Sequence, residues 1–121
     1  MALEITVDAS LKVINGFHNE LQSFFGLQFT QTGNGAFSGV LSIGTSEELI
    51  TFTDITTEGW CFMRNLDATN FVEWGADDTT MKKIGQMSPG EPALFRLSAG
   101  VGLKLKASVA ACDVKFLVLE N

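Results

Sequence analysis

The chemistry open to this chain is limited by a single histidine, His18, in Gly16-Phe17-His18-Asn19-Glu20. A Ser–His or Cys–His nucleophile would need it beside a hydroxyl or thiol and oriented by a third group. Its neighbours read as a turn, so a surface loop is the expected setting. Cys61 and Cys112 each lie inside an apolar stretch, and there is no Cys-x-x-Cys. One histidine and two distant thiols make a poor zinc set. Both cysteines are expected to be reduced, small buried hydrophobes; whether they approach closely enough for a disulfide is a matter of geometry. Asp54, Asp67, Asp77 and Asp78 offer oxygens, but no loop has the alternating acidic spacing of a calcium-binding helix–loop–helix. Solvated turn acids are the simpler reading. Gly33-Asn34-Gly35 lacks the Gly-Lys-Ser/Thr and the helix of a phosphate-binding loop, and reads as a hairpin turn. The expectation is a protein that is not an enzyme, with no catalytic residue, no metal and no cofactor.

The elements that would position these residues are strands. Leu3-Glu4-Ile5-Thr6-Val7-Asp8 alternates apolar and polar without exception, as a half-buried strand does. Leu103-Lys104-Leu105-Lys106-Ala107-Ser108-Val109 repeats the pattern, aliphatics on one side and lysines on the other. Further runs are Leu27–Thr30, Phe37–Ile43, the Thr-, Ile- and Phe-rich stretch 49–55, Trp60–Leu66, Asn70–Gly75, Ala93–Leu97 and an apolar run from Cys112 to Leu119 that suits a central strand. Phe37, Leu41 and Ile43 share one face. Turn residues punctuate them at Asn15-Gly16, Gly33-Asn34-Gly35, Gly44-Thr45-Ser46, Glu58-Gly59, Ser88-Pro89-Gly90 and Ala99-Gly100. Pro89-Gly90 fits a type II turn, and Pro92 sits just before a strand, where its missing N–H does least harm. Ser46–Ile50 is the one helix candidate and is very short. Short strands at close spacing predict an all-β fold, a single antiparallel β-sandwich of jelly-roll type filling residues 1–121. Leu105, Phe116 and Phe95 are expected in its core, Lys104 and Lys106 outside it.

Composition narrows the partners. The 121 residues suit one domain, and 45% apolar content is enough for one core. A formal net charge of −6 with only Arg64 and Arg96 as arginines argues against nucleic acid, which demands clustered basic residues to displace phosphate counterions. No long apolar span is present and the first ten residues do not read as a secretion signal, so neither a membrane nor an oxidising compartment is expected. Ten phenylalanines and two tryptophans are many for this length. Phe24 and Phe25 are adjacent and point to opposite faces of a strand, as Phe71 and Trp74 do if their segment is extended. Excess aromatic surface marks interfaces, although packing on both faces of a sandwich would also account for it. Phe24, Phe71, Trp74, Lys104 and Lys106 are the candidate interface residues.

The second half carries a pattern with wider meaning. It runs Asn65-Leu66-Asp67-Ala68-Thr69-Asn70-Phe71-Val72-Glu73-Trp74-Gly75, then Met87-Ser88-Pro89-Gly90-Glu91-Pro92-Ala93-Leu94-Phe95-Arg96-Leu97, then Leu103-Lys104-Leu105-Lys106-Ala107, and closes on Cys112–Glu120. Over about residues 59–120 this resembles a group of small structural proteins encoded by tailed bacteriophages. Cys112 departs from it, standing where an aliphatic or small residue is expected. The resemblance implies a virion component made in the host cytoplasm, assembled with itself as a dimer or trimer and with the major capsid protein or another virion protein. It implies no catalytic residue. A capsid decoration or cement protein is the leading expectation, with a tail, neck or fibre component as the alternative. A small carbohydrate-binding module, with Trp60 or Trp74 exposed in a shallow groove, competes from another class. So does a compact hydrolase, which needs two carboxylates facing each other across a cleft.

Overall fold

A computed structural model describes residues 3–31, 33–52 and 54–120. All its regular elements are strands: β1 (Ile5–Ile14), β2 (Asn19–Phe29), β3 (Ala36–Ile43), β4 (Glu48–Ile50), β5 (Glu58–Asn65), β6 (Val72–Ala76), β7 (Lys82–Met87), β8 (Pro92–Arg96), β9 (Leu103–Ala107) and β10 (Cys112–Glu120). The chain divides into two compact units, residues 1–32 and 33–121.

The second unit is an antiparallel β-sandwich. Its sheets run β3-β10-β5-β8 and β4-β9-β6-β7. The pairs β3–β10, β4–β9, β5–β8 and β6–β7 have the connectivity of one long hairpin folded at 77–81 and rolled up, with the β5–β10 and β6–β9 ladders closing the roll. Successive strands change sheets at every connection except β6 to β7. That is the jelly-roll order, and the sequence expectation of an all-β antiparallel sandwich holds for this unit.

Period-two alternation decides what is inside. In β10, Cys112, Val114, Phe116 and Val118 are fully buried, whereas Asp113, Lys115 and Leu117 are exposed. The strand is central, flanked by β3 and β5, yet only one of its faces is covered, contrary to the doubly buried run expected. Leu103, Leu105 and Ala107 of β9 and Cys61, Met63 and Asn65 of β5 meet it from the two sheets. Phe116 packs edge-on against Phe52 at 5.9 Å, and Phe52 against Phe37 at 5.2 Å. Each large apolar chain so buried contributes roughly 1.5–3 kcal/mol. Phe95 is only partly buried, lying against the core from the edge strand β8. Both cysteines are free and buried, and burial pushes the Cys61 thiol up to about 12, with nearby Glu58 adding to the effect.

Several local expectations change. Ser46–Ile50 forms no helix; its end is the short strand β4. The stretch 49–55 is strand only to Ile50; Phe52 and Ile55 are buried beyond it, and Thr53 lies outside the described residues. Glu58-Gly59 opens β5 instead of turning. The strand β7 goes unrecognised in sequence because Lys82-Lys83-Ile84-Gly85-Gln86 has little apolar alternation; it is an edge strand, exposed except at Met87 and half-buried Gly85. Gly33-Asn34-Gly35 joins β2 to β3, which do not pair, so it is no hairpin turn. Gly35 is required by proximity, since a Cβ there would lie 2.2 Å from the Asp54 carbonyl oxygen, whereas one on Gly33 would meet only the movable end of the Glu120 side chain.

The first unit is a two-stranded antiparallel hairpin, β1 with β2. Thus the eight sandwich strands come from residues 33–121, where the sequence suggested one domain over the whole chain. Asn15-Gly16 makes the turn as expected: Gly16 has φ +88°, and Asn15 Oδ1 accepts the N–H groups of Phe17 and His18 at 3.0 and 2.7 Å.

Candidate assembly surface

Within the first unit the strand register sorts side chains by face. Cα partners in the inner half are Ile5–Phe29 and Val7–Leu27; in the outer half they are Ala9–Phe24, Leu11–Gln22 and Val13–Glu20. The sequence alone would put Phe24 on the opposite face from Leu27 and Phe29, because they differ in parity. Between Val7 and Ala9 the register shifts by one, with Phe25 and Gly26 set against the single residue Asp8. This β-bulge restores the phase. Gly26 takes φ +70°, a conformation that glycine adopts without Cβ strain, and its N–H donates to Asp8 Oδ1. As a result Ile5, Val7, Ala9, Leu11, Val13, Phe24, Leu27 and Phe29 share one face, apolar all along β1 and interrupted on β2 by Gln22 and Glu20; Val7 on it is buried.

Much of that face meets solvent. Leu11 is 76% exposed and Phe24 44%, while Phe17 at the hairpin tip is 94% exposed. Phe25, on the other face, is 73% exposed. Phe24 thus lies on this face and is partly open to solvent. Leu11 and Phe17 are exposed apolar residues that the sequence did not single out, and Phe25 is the other member of the pair it did. Two apolar-rich strands joined by Asn-Gly were the available signal for a hairpin, but the one-residue bulge hid their common face.

The other candidates are more enclosed. Trp74 stacks on Phe95 with centroids 4.8 Å apart and planes 6° from parallel. It also crosses Gly85 of β7, where a Cβ would come within 2.8 Å of the indole. A neighbouring cavity of about 320 Å³ is lined in part by Trp74, Ile84, Phe95, Leu97 and Val101. One face of Trp74 is thus occupied by Phe95 and is not free as a sugar platform; Trp60 is partly buried too. Phe71 is half-buried just before β6, and its carbonyl accepts Ser108 N–H at 3.0 Å. Lys104 was expected outside the core and is half-buried among acids. Its side chain is 15% exposed, its ammonium is 3.2 Å from Asp77 Oδ1 and 3.8 Å from Glu47 Oε1, and it donates to the Asp78 carbonyl. Loops from elsewhere in the sequence supply the acids. Lys106 is half-buried, with Glu73 as its Cα partner on β6, and the Glu73 carboxylate pairs with Lys83.

Two further acids serve the backbone. Asp67 Oδ2 accepts N–H groups from Asn70 and Thr69, which hold its carboxyl below the usual range. Glu120 accepts from Thr56, Gly35 and Asn34 with the same consequence. Among the described residues no group of three or more His, Cys, Asp or Glu is placed to hold a metal. His18 lies in the hairpin turn and is exposed, as expected.

Two of the segments singled out in the second half of the sequence converge in space. Asn65 is fully buried; its amide donates to the carbonyls of Asn70 and Met87 at 2.9 and 3.0 Å and accepts Asp67 N–H at 2.9 Å. Its backbone bonds Gly90 and Glu91, and Glu91 Oε1 accepts Ser88 N–H. The Asn65–Asn70 and Met87–Glu91 segments are therefore one hydrogen-bonded corner of the sandwich. No protein-family model matches the chain, and no curated protein or solved structure matches it at a significant level.

Proposed function

We propose that this chain is a structural, non-catalytic component of a tailed-bacteriophage particle, first of all a capsid decoration or cement protein. The observation that carries an assembly role is the exposed apolar face of the hairpin. A two-stranded hairpin is marginal in water by itself, and an exposed apolar face of this kind marks a surface that another protein covers. The sandwich beside it in sequence supplies a body with a continuous buried core. The phage-like corner around Asn65 supports the particle context, and Asp67, Asp77, Asp78 and Lys104 are engaged in turns and ion pairs.

Fractionating virus particles produced with this gene on a density gradient tests the reading. The chain should sediment with particles in a fixed ratio to the major capsid protein. After heads and tails are separated it should follow the heads; recovery with tails would replace decoration by a tail or neck role. Recovery only from the soluble fraction would overturn the virion reading.

A further inference from the structure

We infer that the outer edge of β1 is a self-association edge, on which a second copy of this chain pairs antiparallel about Ser10. This rests on the assembly reading above and names its partner as the chain itself.

The strand β1 has β2 on one side and no strand on the other among the described residues. The two edges of the hairpin differ. The edge of β2 is broken by the bulge at Phe25-Gly26, and a bulge is a common device for blunting an edge. The edge of β1 runs through Val7-Asp8-Ala9-Ser10-Leu11-Lys12-Val13 with the extra residue on the opposite strand. That heptad has mirror character about Ser10. Antiparallel pairing about this residue sets Asp8 opposite Lys12 of the second copy, Lys12 opposite its Asp8, Ala9 opposite its Leu11 and Val7 opposite its Val13. Directly opposed side chains of opposite charge attract, and like charges there repel. Every position in this register therefore meets its complement. The same operation on β2 about Gln22 would set Glu20 opposite Phe24.

Asp8 and Lys12 are both exposed; Asp8 accepts Gly26 N–H through Oδ1, its other oxygen takes no bond among the described residues, and Lys12 forms no ion pair among them. Pairing would produce a four-stranded sheet, β2-β1-β1-β2, with a two-fold axis through Ser10. Its apolar face would carry Ala9, Leu11, Val13 and Phe24 from both copies. An isologous two-fold contact of this kind closes on itself and gives a dimer.

A disulfide trap reads the register. Directly opposite residues in an antiparallel ladder have Cα atoms about 4.5–5.5 Å apart, within the span of a disulfide. Ser10→Cys should form a covalent dimer under mild oxidation at least ten times faster than Ser23→Cys, which faces Ser10 from the far strand of the same hairpin. The native cysteines are buried and supply an inert background. Lys12→Glu, which sets two acids together at each crossing, should raise the dimer dissociation constant at least tenfold in sedimentation experiments, and more than Lys12→Gln. Equal cross-linking rates for Ser10→Cys and Ser23→Cys, or self-association unchanged by Lys12→Glu, would overturn the pairing. Particle fractionation of the same variants separates the two readings. A chain found on particles that does not cross-link at position 10 refutes only the edge, whereas a cross-linked dimer absent from particles refutes only the virion role.

Discussion

Asn65 has every side-chain bond it makes directed at backbone groups of its corner, two as donor and one as acceptor, with no exposure to water. Each buried backbone group left unsatisfied costs about 1–3 kcal/mol. Asn65→Ala should therefore destabilise the sandwich by on the order of 3 kcal/mol in denaturant unfolding. Asn65→Asp should be worse, because an ionised carboxylate cannot donate to the carbonyls of Asn70 and Met87. Glu120 is half-buried and acts through its charge. Backbone N–H groups of Thr56 and Gly35 hold its carboxyl below its ordinary value of 4.5. A depressed folded-state value means that the contribution is fully present above the unfolded value and is lost as pH falls through the folded one. Thermal melting of Glu120→Gln should thus differ most from the parent near neutral pH, and the difference should shrink on acidification below about 4.5. A difference that persists unchanged to low pH would show that the charge is irrelevant.

At the scale of the element, the bulge in β2 decides what the hairpin can do. Side chains alternate with a strict period of two, so one inserted residue moves everything beyond it to the other face. Deleting Gly26 should place Leu27 and Phe29 opposite Phe24 and divide the apolar face. Association with particles in density-gradient fractions should fall, while the main unfolding transition by calorimetry stays with the sandwich. Retained association after the deletion would mean that this face is not what associates. The strand β7 shows the converse. As an edge strand it needs little apolar content, and its Gly85 is fixed by the indole of Trp74 rather than by any local propensity.

For the whole molecule, two units of unequal cohesion follow from the fold: an eight-stranded sandwich with a continuous core and a two-stranded hairpin with an exposed face. Hydrogen exchange in dilute solution should find β1 and β2 amides exchanging far faster than those of β10, and assembly should protect the hairpin without changing β10. Equal protection of both in dilute solution would contradict this account. The sequence by itself determined that the chain is built of strands, that Leu105 and Phe116 are core, that the thiols are buried and that His18 sits in a turn. Those outcomes follow from alternation, turn chemistry and hydrophobicity, which act over a few residues. Only the tertiary structure decided the jelly-roll order, the split between hairpin and sandwich, the acids around Lys104 and the enclosure of Trp74. Each of these depends on segments distant in the chain: Glu47 and Asp77 reach Lys104 from other loops, and Phe95 reaches Trp74 from the opposing sheet. Local sequence carries the period of a strand, but not which strand lies beside it, and a shift of one residue at Gly26 was enough to conceal the face that this chain presents.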